Sequence, residues 1–187
     1  MIVRRALGGA VAGGLAAAVW AAQQPFDKRV FGCGFDDVEL LGKLITRGSS
    51  WPLAGIALHV HNGALFGALY AQLRPLVPAP PQALGLTVGL AEHLASWPLV
   101  RVVDRHHPAR SELVTLSGNR RAFGQAAWRH ALFGALLGML EQRFNRGRDD
   151  LRPVPASSNG QGDIELAASP ARARAASGAA YEARPRT

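Results

Sequence analysis

At 187 residues with a formal net charge of +8, carried almost wholly by arginine, the chain fits one domain. Its single cysteine, Cys33, excludes an internal disulfide. The basic balance lacks the aromatic-interleaved patches of nucleic-acid binders and points instead to anionic lipid head groups, so no nucleic acid is expected as a partner.

The mean hydropathy, close to zero, averages apolar segments with a polar tail. Four long apolar stretches emerge when hydropathy is read in windows of about 19 residues. They are Ala6–Ala22, Trp51–Leu73, Ala83–Val103 and Ala122–Leu140, the last helix running to about residue 141. Each is long enough, or nearly so, to cross a bilayer, and the second runs 23 residues without an acid or base stronger than histidine. A buried helix of a soluble protein usually carries a polar stripe.

The first stretch follows Arg4 and Arg5 and resembles a secretory signal, but cleavage after Ala22 would place bulky Trp20 where a small residue is needed. It is read as a retained helix with Trp20 as an interfacial anchor. Next, Asp36 is an N-cap with Glu39 three residues on, and Gly48 is a stop. Val38, Leu41, Leu44 and Ile45 share a face, which predicts a short amphipathic helix over about 36–47 at the interface, with Lys43 and Arg47 toward head groups. Four prolines make Arg74–Gln82 a stiff turn, and His106 and His107 fall in a loop of ordinary structural role. The Ala/Arg/Ser/Pro/Gly-rich tail, from about Arg146 to Thr187, is expected to be disordered.

The chain repeats itself. Ala64-Leu-Phe-Gly-Ala-Leu69 recurs as Ala131-Leu-Phe-Gly-Ala-Leu136, Gly14-Leu-Ala16 resembles Gly89-Leu-Ala91, and Asp27-Lys28-Arg29 resembles Asp104-Arg105. A hairpin of two helices used twice accounts for this, and gives parallel repeats. The expected fold is all-α, a four-helix transmembrane bundle of two hairpin-like repeats with one interfacial helix. Seven basic residues near helix ends on the termini side against nine on the other do not fix orientation; the first helix favours termini inside.

Glycines spaced by four mark a packing face on every span: Gly9 and Gly13, Gly63 and Gly67, Gly85 and Gly89, Gly134 and Gly138. Small residues let helix backbones approach closely, which in lipid replaces the missing hydrophobic drive for association. Extending those rows by fours reaches His59, His93 and His130, all about 12–15 Å deep at 1.5 Å per residue. Asn62, Glu92 and Arg129 lie within a turn of them. Charged groups at such depth are rare unless paired or lining a wet cavity.

Three uses fit the cluster of His59, Asn62, Glu92, His93, Arg129 and His130. The first is structural: a buried Glu92–Arg129 pair fixing helix register. The second is a pathway for protons or a small solute, since a carboxylate beside histidines is what a relay needs. The third is a metal or haem site built on three imidazoles and Glu92, against which Arg129 stands too close to a cation. No cofactor is predicted, the identity of any metal is left open, and no nucleophile motif, phosphate loop or catalytic signature points to an enzyme. Trp51, Trp97 and Trp128 read as interface or packing residues, with Trp97 one turn from His93 and able to cover the cluster.

Asp27-Lys-Arg-Val-Phe-Gly32, Asp37-Val-Glu-Leu-Leu-Gly42, His61-Asn-Gly-Ala-Leu-Phe-Gly67, Glu92-His93 with Trp97-Pro98, His107-Pro-Ala-Arg110 and Trp128-Arg-His130 with Phe133-Gly134 carry a resemblance. They resemble an uncharacterised group of small bacterial four-helix membrane proteins, over roughly residues 6–145. The resemblance implies a multi-pass protein of the bacterial inner membrane and brings no activity with it. The expected partners are the lipid bilayer and its anionic head groups, with a membrane protein partner or a second copy of the chain also open.

Overall fold

The computed structural model describes residues 2–146, and every regular element within them is helical. The expected tail lies, beyond Arg146, outside the described residues. The elements are α1 (Ile2–Phe31), α2 (Asp37–Ile45), α3 (Trp51–Leu73), α4 (Pro81–Ser96), α5 (Val100–His106) and α6 (Arg120–Asn145).

Two sequence expectations change. The first helix does not stop at Ala22: it passes through Pro25 and continues to Phe31. Proline costs one ladder hydrogen bond, but the turn beyond it is tied into the protein by the buried Asp27. The expected helix over Ala83–Val103 is broken, because Pro98 removes a donor and the chain tightens to a 3-10 turn over Trp97–Leu99 before resuming as α5. By length and composition, one helix among the described residues, over Val3–Phe31, is long and apolar enough to cross a membrane. α3 is interrupted by His59, His61 and Asn62, α4 stops after 16 residues, and α6 carries Gln125, Arg129 and His130 in its first half.

α1 lies between α3 and α6, and α6 lies between α1 and α4. Gly9 approaches Gly67 while Gly13 approaches Gly63, so α1 and α3 run antiparallel. Gly85 and Gly89 face Gly134 and the carbonyl of His130 in the same sense. Contact here is backbone on backbone. A Cβ on Gly67 would stand 2.1 Å from the Gly9 carbonyl oxygen, and one on Gly134 would stand 2.2 Å from that of Gly85. Glycine is required at these positions by space.

The two helix pairs meet at matching positions: Gly67 and Gly134, the shared glycine of the six-residue repeat, take the same place against Gly9 and Gly85. Gly13 then corresponds to Gly89, which corrects by one residue the alignment that paired Gly14 with Gly89. Asp27 and Asp104 are not counterparts. Asp27 is buried within α1, whereas Asp104 accepts from the backbone N–H groups of Leu116 at 3.0 Å and Ser117 at 2.7 Å.

α2 forms as its ends require. The Asp36 carboxylate accepts from the Glu39 N–H at 2.9 Å, an N-cap worth about 1 kcal/mol. Val38 and Gly42 are buried against α3, where a Cβ on Gly42 would meet the Trp51 carbonyl oxygen at 2.1 Å, while Leu44 and Ile45 are exposed. Close backbone contact at Gly42 and Gly55 seats α2 on α3. Lys43 and Arg47 are ion-paired: the Lys43 ammonium is 2.7 Å from Glu39 and 2.9 Å from Glu112, and Arg47 also holds Glu112.

Candidate functional site

α6 presents two faces with different tasks. His130, Gly134 and Gly138 face α4. One position earlier, Gln125, Arg129, Phe133, Leu137, Glu141 and Asn145 form a row spaced by four, and all six are buried. This row faces α1.

Arg129 stands at the centre of a polar knot and is fully buried. Its Nε and Nη2 each donate to one oxygen of Asp27, both at 2.6 Å, in the fork geometry that suits a carboxylate. Nη1 donates to Asp37 at 2.5 Å and Nη2 also reaches the Phe35 carbonyl oxygen at 3.0 Å. The Gln125 amide adds a bond to Asp27 at 2.7 Å, the Gln23 amide adds another, and the Trp20 indole N–H donates to Asp37 at 3.0 Å. Arg129 thus joins α1, α6 and the start of α2.

The expected Glu92–Arg129 pair is therefore replaced by two others. Arg129 takes Asp27 and Asp37, and Glu92 takes His130, whose Nε2 lies 2.6 Å from its Oε2. The physical reason is the length of α1: once it continues past Pro25, Asp27 and the following loop bring two carboxylates to Arg129 from the side opposite α4.

The His130–Glu92 contact has a fixed proton count. His130 Nδ1 lies 2.7 Å from the Ala126 carbonyl oxygen, which can only accept, so Nδ1 carries a hydrogen. Nε2 and the Glu92 oxygen therefore share a single proton, as imidazolium with carboxylate or as imidazole with carboxylic acid. The Glu92 side chain is 40% exposed.

The remaining histidines are brought to the same level, as a chain of rings. Trp20 stands between His59 and His130, with centroids 5.0 and 4.7 Å away, and His93 is 5.0 Å from His130. Trp97 does cover His93, at 5.4 Å, with Phe123 on it at 4.7 Å. The Nε2 atoms of His59 and His93 are buried and make no hydrogen bond among the described residues. Asn62 is exposed at the rim. Trp20 is buried, not an interfacial anchor. Among the described residues no three His, Cys, Asp or Glu side chains converge on a point suited to a metal ion.

Two clefts meet at this ring layer. One, of about 160 Å³, is lined from all four long helices and includes Asn62, Phe66, Glu92 and Phe133. The other, of about 420 Å³, includes Asp37, Leu40, Ser96, Trp97 and Val103 toward α2 and α5. Trp20, His59 and His130 line both and form the partition.

Of the two histidines expected in a loop, His106 ends α5, and His107 is a loop staple. Its Nε2–H donates to the Leu40 carbonyl oxygen at 3.0 Å, and its Nδ1 accepts from the Ala109 N–H at 3.1 Å.

Comparison of the chain with protein-family models, curated proteins and solved structures finds no match.

Sequence reasoning missed Asp27, Asp37, Gln125, Trp20 and Glu141. The four-spaced row on α6 was available as a signal, as was the seven-residue spacing of Gly13, Trp20 and Asp27 along an uninterrupted α1.

Proposed function

We propose that the chain is a multi-span membrane protein that provides a proton-linked pathway for a small solute, with Glu92–His130 as its proton-binding pair. The observation that carries the reading is the 2.6 Å contact between Glu92 and His130, placed on a cleft wall beside a partition of aromatic rings. Removing the proton sets an imidazole lone pair against a carboxylate, which opens the pair; restoring it closes the pair. One protonation step thus changes both charge and geometry between two clefts.

The distribution of side chains supports a lipid surround for α1, α3, α4 and α6. Arg129, Asp27, Gln125, Glu141 and Asn145 are inside, while Val3, Leu7, Val11, Leu15 and Val19 form an exposed stripe along α1. Leu53, Ile56, Leu65 and Leu69 of α3, Leu86 and Leu94 of α4, and Met139 of α6 are likewise exposed. Such surfaces are costly in water and are the natural lining toward lipid. The composition and the resemblance to small bacterial membrane proteins support the bacterial inner membrane as its location.

The test is flux. In proteoliposomes holding a pH-sensitive dye, an imposed pH gradient should collapse faster with the wild-type protein than with Glu92→Gln or His130→Gln. Equal rates in all three would sink the reading.

A second reading, a structural or partner-binding protein, draws on Arg129, whose bonds join α1, α2 and α6 and leave little for a substrate. It expects Glu92→Gln to lower only thermal stability in detergent.

A further inference from the structure

A basic cleft of about 740 Å³ lies along α5, away from the Glu92–His130 pair. We propose that it binds a phosphate-bearing anion, presented either as a lipid head group or as free phosphate.

Arg101 and Arg105 are one helical turn apart on α5, both exposed, and Arg110 follows in the next loop. The two bonds that the Leu116 and Ser117 N–H groups donate to Asp104 draw the loop back across α5. That fold brings the hydroxyl-bearing Thr115 and Ser117 to the same cleft. Asp104 and His106 line it too, so the lining carries three guanidinium charges and an imidazole against one carboxylate, and that carboxylate is engaged by backbone donors on both oxygens.

What sets these three arginines apart is that they line one cleft together, as Arg29, Arg120 and Arg121, also without an ion pair among the described residues, do not. Lys28 is bonded to Asp36, Lys43 and Arg47 share Glu112, and Arg129 has Asp27 and Asp37. Arg101, Arg105 and Arg110 make no ion pair among the described residues, although the fold gathers them. Guanidinium forks match phosphate oxygens two at a time, which a single carboxylate would not saturate across three arginines. Exposed Leu99 and Val102 flank the arginines and would meet the acyl region if the phosphate belongs to a lipid. Anion binding in this cleft involves no proton transfer, so it stands or falls separately from the Glu92–His130 pathway.

The full chain in neutral maltoside micelles would be unfolded thermally with phosphatidylglycerol or phosphatidylcholine added, and separately with sodium phosphate or sodium chloride at equal ionic strength. Wild type should gain a few degrees in Tm with an anion that the triple variant Arg101→Gln/Arg105→Gln/Arg110→Gln does not gain, while Arg120→Gln should behave as wild type. A shift with phosphatidylglycerol alone assigns a head group, and a shift with phosphate as well assigns the shared anion. No shift with either, or equal shifts in wild type and the triple variant, overturns the site. Should the triple variant fail to fold, Arg105→Gln alone is read by the same shift, and a response unchanged from wild type overturns it equally.

Discussion

Arg129 on α6 grips Asp27 on α1 through two parallel hydrogen bonds of 2.6 Å, across 102 positions of sequence and wholly out of contact with solvent. Asp37 completes its coordination from the first residue of α2. Truncating Arg129 to Met leaves two buried or half-buried carboxylates without their cation, and an uncompensated buried charge costs about 3–5 kcal/mol. Asp27→Asn should cost less, since Arg129 keeps Asp37. Thermal unfolding in detergent should rank wild type, Asp27→Asn, then Arg129→Met; the reverse order of the two variants would refute the central role given to the guanidinium.

Adjacent glycines on α1 offer a sharper test of helix contact. A Cβ on Gly13 would stand 2.0 Å from the Gly63 carbonyl oxygen, whereas one on Gly14 would find its nearest neighbour, a Val60 methyl, at 3.6 Å. Gly13→Ala should therefore force α1 and α3 apart and lower Tm. Gly14→Ala should hold or raise Tm, since alanine favours a helix over glycine by about 1 kcal/mol. Equal effects at both positions would mean that α1 and α3 do not pack as described.

Acid should unfasten the loop after α5. Burial pushes the Asp104 carboxyl up, but bonds from the Ser117 side chain and from the Leu116 and Ser117 N–H groups outweigh it and hold it below its usual value. A folded value below the unfolded one gives stability that is fully present above about pH 4 and lost as pH falls through the folded value. Wild type and Asp104→Ala should accordingly differ in Tm at pH 7 and converge in the acid range. A gap that widens on acidification would show that the carboxylate is not what the loop depends on.

The partition predicts opposite outcomes for two changes at one residue. Trp20→Ala would remove the indole that separates the two clefts and should raise proton leak in proteoliposomes several-fold. Trp20→Phe keeps a ring there and loses only the bond to Asp37, so its leak should stay near wild type. If both variants leak like wild type, Trp20 does not divide the clefts.

Some of this could be read from the chain alone because it depends on local order. The bounds of α3, the N-cap at Asp36 and the glycines four apart follow from turn geometry and from side chains a few residues distant. So does the placing of His59, His93 and His130 at one level, since depth along a helix is a count of residues. Three-dimensional packing decided the rest. Whether α1 ends at Ala22 or continues to Phe31 turns on Asp27 finding Arg129, a contact that exists only once α6 lies alongside.

The same holds for which acid meets which base. Neighbouring positions on α6, Arg129 and His130, point to different helices, so a rotation of about 100° separates a pair with Asp27 from a pair with Glu92. Periodicity placed these groups within a turn of one another and left their partners open. The side from which each helix approached, set by glycine backbones in contact, chose between them.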